Sequence, residues 1–155
     1  MITVKEVKTK KDIKAFLDFP LELYKNCEYF VPPLYGDEKK MFSKNFVYND
    51  TCESVFFLAE SDGKILGYAF CIHKQFINDN NMTDVKTLYI DDLCVDENER
   101  GKHIGKTLYD FVVSYAKKNG YYNVTLNVWA DNKKAVGFYE KIGLQVQKIG
   151  MEKIL

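Results

Sequence analysis

The sequence predicts a mixed α+β domain, with a single mixed central sheet of about six to seven strands flanked by helices. Three observations carry that expectation. Apolar runs of strand length recur at 2–7, 55–60, 65–73, Thr87–Val95 and 123–129, and 144–155 supplies one or two more. Apolar residues three and four apart mark helix faces at Ile13, Phe16 and Leu17, at Leu108, Phe111, Val112, Tyr115 and Ala116, and at Ala135, Phe138, Tyr139 and Ile142. The helix between 87–95 and 123–129 makes a strand–helix–strand unit, which sets those two strands side by side and parallel through a right-handed crossover.

Each element has its own local reason. Residues 2–7 alternate as a first strand. Thr9 can cap a helix over 10–18, which Pro20 should break or kink, with a helical turn resuming at 21–24. Residues 30–35 carry Pro32 and Pro33 between aromatics, which forces extended backbone; they read as a rigid connector or as one wall of a pocket. A helical tendency at 36–43 and a polar loop at 45–53 follow. Asp62-Gly63 sits inside a hairpin signal between 55–60 and 65–73. The Asn-rich stretch at 76–84 reads as a loop. Asn119-Gly120 closes the helix over 108–118. Asp131 or Asn132 caps the last helix, and Gly143 ends it.

With 155 residues, the chain is expected to be one domain, 1–155, with room for a core. Lysine plus arginine equals aspartate plus glutamate at 22 each. That balance argues against a nucleic-acid or anionic-membrane partner. Met1–Glu6 lacks a basic region followed by an apolar block, so no signal peptide is expected, and no apolar run approaches the roughly 20 residues of a membrane span. A soluble, cytoplasmic protein is expected. Cys27, Cys52, Cys71 and Cys94 form no C-x-x-C pair and read as free thiols. His73 and His103 stand outside ligand spacing to any cysteine pair, so no metal is expected.

Packing explains residues 95–108 least well. Between the strand ending at Val95 and the helix at Leu108 lies a turn bearing Arg100, Gly101, Lys102, His103, Ile104, Gly105 and Lys106. A helix start leaves its first N–H groups without intrahelical partners, and its dipole favours negative charge there. Glycine permits close backbone approach, and three cations add attraction. The turn is an anion site or, more plainly, a solvated strand-to-helix connector. Neither a Walker A loop nor a dinucleotide fingerprint is present.

A second block sharpens this reading. Arg100-Gly101-Lys102-His103-Ile104-Gly105 resembles the pyrophosphate loop R/Q-x-x-G-x-G/A of the GNAT family of acyl-CoA N-acyltransferases. It matches at Arg100 and Gly105 and departs at His103, where the family usually has glycine. His103 therefore needs a backbone angle tolerable to a Cβ. Residues 127–144 resemble the family's N-x-x-A-x-x-F-Y-x-x-x-G-F/L signature at Asn132, Ala135, Phe138, Tyr139, Gly143 and Leu144. The resemblance covers 55–155 well and the N-terminal third only in layout. Residues 89–95 also resemble the corresponding strand of small-amine and polyamine acetyltransferases.

The resemblance implies the acyl-CoA N-acyltransferase fold, acetyl-CoA as cosubstrate without a metal, a small-molecule amine as acceptor, and a possible homodimer. It implies that Leu93, Cys94 and Val95 offer backbone groups to the pantetheine arm, one N–H polarising the thioester carbonyl. The turn from Arg100 to Lys106 would hold the pyrophosphate. Asn132 would bond the pantetheine arm, with Asn127 nearby, and Tyr139 would protonate the departing thiolate.

An alkylamine with a pKa of ~10.4 must lose a proton before it attacks. Asp91 and Asp92 are the candidates for that task. Adjacent strand residues point to opposite faces, so at most one should face the cleft directly. One would take the proton through water while the other attracts a cationic substrate; alternatively, one or both sit at a solvated strand end. Glu60 and His73 are weaker candidates, and Trp129 is expected to pack where the fourth and fifth strands diverge. Two other functions stay open: acetylation of a protein N-terminus or lysine, and a catalytically silent acyl-CoA-binding sensor.

Overall fold

The computed structural model describes residues 1–24, 54–81 and 83–155. The expectations for 30–35, 36–43 and 45–53, and those for Cys27 and Cys52, lie outside the described residues. Among the described residues five strands form one sheet in the order β1 (Thr3–Glu6), β2 (Ser54–Ser61), β3 (Lys64–Lys74), β4 (Thr87–Val95) and β5 (Asn123–Leu126). β1 to β4 pair antiparallel, and β5 lies parallel to β4. The parallel step is made by α2 (Ile104–Lys118), as the crossover argument requires. α1 (Lys10–Tyr24) precedes β2, and α3 (Lys133–Lys141) follows β5.

Local chemistry explains most boundaries. Thr9 and Asp12 form a reciprocal cap. The Asp12 amide donates to Thr9 Oγ1 at 3.1 Å, and the Thr9 amide donates to Asp12 Oδ2 at 3.1 Å. Lys5 adds an ion pair to Asp12 at 2.9 Å. β2 and β3 join through Asp62 and Gly63 at φ 51° and 78°, the paired positive angles of the tightest hairpin turn.

The two faces of the sheet differ. One face packs Phe57, Ala59, Ala69, Cys71, Leu88 and Ile90 against Ile104, Leu108, Val112 and Ala116 of α2. The other carries an aromatic layer under α1. Phe16 meets Phe56 edge-on at 4.6 Å and Tyr68 at 5.3 Å, and Phe56 stacks on Phe70 at 4.8 Å. Gly67 lets α2 and β4 close on β3. A Cβ there would stand 2.6 Å from the Cys94 carbonyl oxygen and 3.2 Å from Leu108 Cδ1. Gly67→Ala is therefore expected to cost about 3 kcal/mol in a urea unfolding experiment, because backbone cannot yield as a side-chain tip can. An unchanged midpoint would mean that the strands are free to move apart.

Three expectations are corrected. α1 runs through Pro20 to Tyr24 instead of stopping near residue 18. The lost N–H bond is one contact, whereas the ring contacts of Phe16 and Phe19 with Tyr68 hold the helix on the sheet. β5 stops at Leu126, short of Trp129. Residues 145–155 form no strand, so the sheet has five strands among the described residues and not six to seven. Strand-like composition gives no ladder unless an edge is met, and among the described strands β5 meets only β4.

Candidate active site

The β4–β5 ladder ends at the pair Ile90 and Leu126. Beyond it β4 continues to Val95 paired, among the described strands, with β3 alone, which leaves a gap in the pairing between 91–95 and 127–129. The Cys94 carbonyl faces Gly67 across the β3–β4 ladder. Backbone groups alternate along a strand, so of the three residues singled out in the sequence, Leu93 and Val95 turn theirs toward the gap.

A bulge decides the two carboxylates. Ile72 pairs with Tyr89 and Phe70 with Asp92, so three steps along β4 match two along β3. The extra residue shifts every side chain beyond it by one face. Simple alternation would set Asp92 on the α2 side. The bulge sets it instead on the aromatic side, beside Phe70, where the Tyr68 hydroxyl donates to Asp92 Oδ2. Tyr68 is 2% exposed and is the functional candidate that the sequence reading missed. The signal for it would have been a tyrosine two residues from the position opposite an acidic bulge.

Burial pushes the Asp92 carboxyl above the usual aspartate range, against the opposing effects of the Tyr68 hydroxyl and the Leu93 backbone. Asp91 is exposed. Its carboxyl is also raised, by partial burial and by the charge of Asp92, while Lys74 opposes the shift.

Tyr139 reaches the same locality from α3. Burial and then the charge of Asp92 hold its phenol above the ordinary tyrosine value, so it is protonated at neutral pH and within the field of Asp92. α3 is brought there by Phe138, whose ring lies 3.4 Å from where a Gly105 Cβ would be. A Cβ at residue 105 would rest against that ring at about ordinary contact distance.

The turn after β4 has backbone geometry that could receive an anion. A single 3₁₀ turn spans Glu97–Glu99, Gly101 takes φ 81°, and His103 takes φ 62° and ψ 12° immediately before α2. His103 thus adopts the left-handed angle for which the family uses glycine. Its side chain makes no cap bond, so the first-turn amides of α2 have neither an intrahelical partner nor a cap from His103. A Cβ in that region costs about 1–2 kcal/mol. His103→Gly is expected to raise stability by about 1 kcal/mol, read as an upward shift of the thermal midpoint. A downward shift would show that the imidazole makes a contact that stabilises the turn.

The cations of this turn are not equal. Lys102 pairs with Glu99 at 2.6 Å, and Lys106 with Asp110 at 2.5 Å. Glu99 also binds Lys64 at 2.6 Å, and the hydrogen bonds from Lys102 and Lys64 push its carboxyl down to about 2. Exposed pairs of this kind are weak and can be exchanged for a polyanion. Among the described residues Arg100 takes part in no ion pair, and it is exposed. It is the cation available without any exchange.

Other candidates fall elsewhere. Asn132 caps α3, its Oδ1 accepting from the Ala135 amide at 3.1 Å, which leaves its amide NH₂ for a ligand. Asn127 donates to the Tyr89 hydroxyl at 3.1 Å, at the mouth of the gap. Trp129 does not pack where the strands part; it is 86% exposed, because the chain leaves the sheet at Leu126. Glu60 pairs with Lys5 at 2.8 Å at the far end of β2, and His73 lies against the Tyr121 ring at 5.6 Å. Among the described residues no three His, Cys, Asp or Glu side chains group to hold a metal, and no helix is long and apolar enough to cross a membrane.

Similarity to known proteins agrees with this geometry. A model of the acetyltransferase (GNAT) family matches residues 18–144. An uncharacterized N-acetyltransferase of Methanocaldococcus jannaschii is 29% identical over 150 residues, which cover 95% of this chain and 62% of that protein. Glucosamine 6-phosphate N-acetyltransferase of Arabidopsis thaliana is 35% identical over 95 residues, or 61% of this chain and 59% of that protein. The chain thus spans about three fifths of the length of these relatives. The structure of AAC(6')-Iy with the bisubstrate analog CoA-S-monomethyl-acetylneamine shares the fold, with a TM-score of 0.73 over 100% of this chain and 98% of that one at 12% identity.

Proposed function

This chain belongs to the GNAT family of acetyltransferases, and from that membership we propose that it moves an acetyl group from acetyl-CoA to the primary amine of a small molecule, a di- or polyamine being the finer assignment. One observation carries the reading. The gap beside β4 runs from the Asp92–Tyr68 pair, whose charge reaches Tyr139, to the uncapped start of α2. A thioester with a diphosphate at the far end of its arm fits that order of groups.

The cosubstrate supplies an activated acyl carbonyl and a thiolate leaving group. The first-turn amides of α2 and the Arg100 guanidinium would hold its diphosphate. Leu93 and Val95 would bond its arm as an added strand does, and one of their N–H groups would polarise the carbonyl. Asp92 accepts the amine proton directly or through one water, and the neutral nitrogen forms the new C–N bond. As the C–S bond breaks, the Tyr139 phenol gives its proton to sulfur. The new amide nitrogen then sheds its second proton to water, and Asp92 returns the first to the phenolate, so that an ammonium and a thioester give an amide, a thiol and one released proton. Asp91, exposed beside Asp92, adds negative charge that draws a cationic amine. The buried free thiol of Cys71 suits a reducing cytoplasm.

The test is thiol release from acetyl-CoA across monoamines, polyamines and peptides with free N-termini or lysines. Turnover confined to small amines is expected. Turnover confined to peptides would move the assignment to protein acetylation, and tight acetyl-CoA binding without turnover would leave a sensor. In the same assay Arg100→Ala should raise the KM for acetyl-CoA about tenfold, the worth of one charge-assisted contact, with kcat unchanged. An unaltered KM would remove Arg100 from the cradle.

A further inference from the structure

The aromatic side of the sheet carries one cation that the acetyl-transfer mechanism does not use. Lys74 closes β3, and its ammonium sits over the ring of Tyr89, 3.3 Å from the centroid. A ring face attracts a cation out to roughly 6 Å. The charge of that ammonium also reaches the Asp91 carboxyl, where it opposes the effects of burial and of Asp92. The Tyr89 hydroxyl accepts from Asn127 Nδ2 at 3.1 Å, which ties the ring to the mouth of the gap. Tyr89 is half-buried, whereas Lys74 and Asp91 are exposed.

The register sets this group beside the reacting end of the gap. Tyr89 stands opposite Ile72, and Asp92 stands opposite Phe70. Residues two apart on a strand share a face, and two steps span roughly 6.5 Å. Tyr89, Lys74 and Asp92 therefore lie on one side of the sheet. With both carboxylates ionised, two negative charges face one ammonium. Holding a lysine over a ring costs side-chain freedom, which a ligand ammonium in its place would return.

We propose that the Tyr89 ring face and the Asp91 carboxylate form a second cation subsite, held in the free chain by the Lys74 ammonium and taken over by the distal ammonium of a diamine acceptor. The inference rests on the acetyl-transfer reading and adds a rule of specificity to it. The attacking nitrogen lies at Asp92 and the second cation two strand residues away, so the acceptor is an alkanediamine with nitrogens roughly 6–7 Å apart. A monoamine can reach Asp92 but leaves Lys74 over the ring. An anionic acceptor would use Lys74 as a ligand, and the excess of carboxylates disfavours it.

The test compares 1,4-diaminobutane with butylamine on the wild-type chain, Lys74→Met and Tyr89→Leu. Thiol release from acetyl-CoA gives KM, and calorimetric titration with and without CoA gives Kd. Methionine keeps an unbranched stem and removes the charge. Lys74→Met is expected to lower both constants for the diamine about tenfold, and Tyr89→Leu to raise them about tenfold, with those for butylamine moved about twofold at most. Lys74 is exposed, so that arm stands even if the leucine variant fails to fold. A rise in the diamine constants of Lys74→Met would overturn the proposal and make Lys74 a ligand of the acceptor. Unchanged constants in that variant would overturn it as well. Calorimetric shifts in the expected directions without thiol release from any amine would keep the subsite and remove the acetyl-transfer reading. Release from both amines, indifferent to both substitutions, would do the reverse, and neither binding nor release would remove both.

Discussion

Tyr139→Phe is expected to lower kcat about a thousandfold and leave the KM for acetyl-CoA nearly unchanged. The substitution removes one oxygen and its proton. The ring keeps its contact with Phe138, whose centroid lies 5.2 Å away, so α3 stays on the start of α2. The loss is the proton that neutralises sulfur as the thioester breaks, and general-acid contributions of about 10²–10⁴ are ordinary. Burial and the charge of Asp92 both raise the phenol's pKa. An acid with a raised pKa stays protonated through neutral pH, so the wild-type kcat should decline on the alkaline side only above the ordinary tyrosine range near 10. The variant should lack that decline. A variant that turns over at the wild-type rate would return Tyr139 to the role of a core aromatic.

That tyrosine shows what the sequence makes legible. Its helix, cap and neighbours follow from spacing and from one signature, and α3 begins and ends where Asn132 and Gly143 said it would. The hairpin at Asp62-Gly63 and the crossover through α2 were equally readable, because each depends on a few residues in a row. The face on which Asp92 lies was not readable. It turns on one extra residue against β3, between Phe70 and Cys71, and a bulge is a property of two strands in register. Tyr68 was missed for the same reason, since its partner is 24 residues away. The turn after β4 is legible in sequence as a basic, glycine-bearing link from strand to helix, but which of its cations are paired is not. Arg100, Lys102 and Lys106 look alike in sequence, and only the positions of Glu99 and Asp110 separate the engaged cations from the available one. The last strand failed on the opposite ground: composition describes what a segment can pair with and not whether an edge lies within its reach.

Asp92→Asn should trade activity for stability, and the pH at which it does so is fixed by the direction of one shift. The carboxyl is raised in the folded chain chiefly by burial, beyond what the Tyr68 hydroxyl and the Leu93 amide recover. A folded pKa above the unfolded value means that the fold binds the proton more tightly. Asp92 therefore costs the fold nothing below the ordinary aspartate range near 4. The cost appears as pH rises through the interval up to the raised value, and it is present in full above that value. Asparagine removes the charge but keeps an oxygen that can accept from Tyr68. The variant should melt at a higher temperature than the wild type at pH 7 and at nearly the same temperature at pH 4. Its kcat with an amine should fall at least about a hundredfold, since an amide cannot take the proton. The two readouts test different things. A lower melting temperature at pH 7 would mean that Asp92 makes a stabilising contact its surroundings do not reveal. An unchanged kcat would mean that the amine loses its proton elsewhere, with Asp91 the next group to vary. Both effects together would mark Asp92 as a charge that the fold holds at a cost because the chemistry requires it, with Tyr68 as the residue that fixes where that charge points.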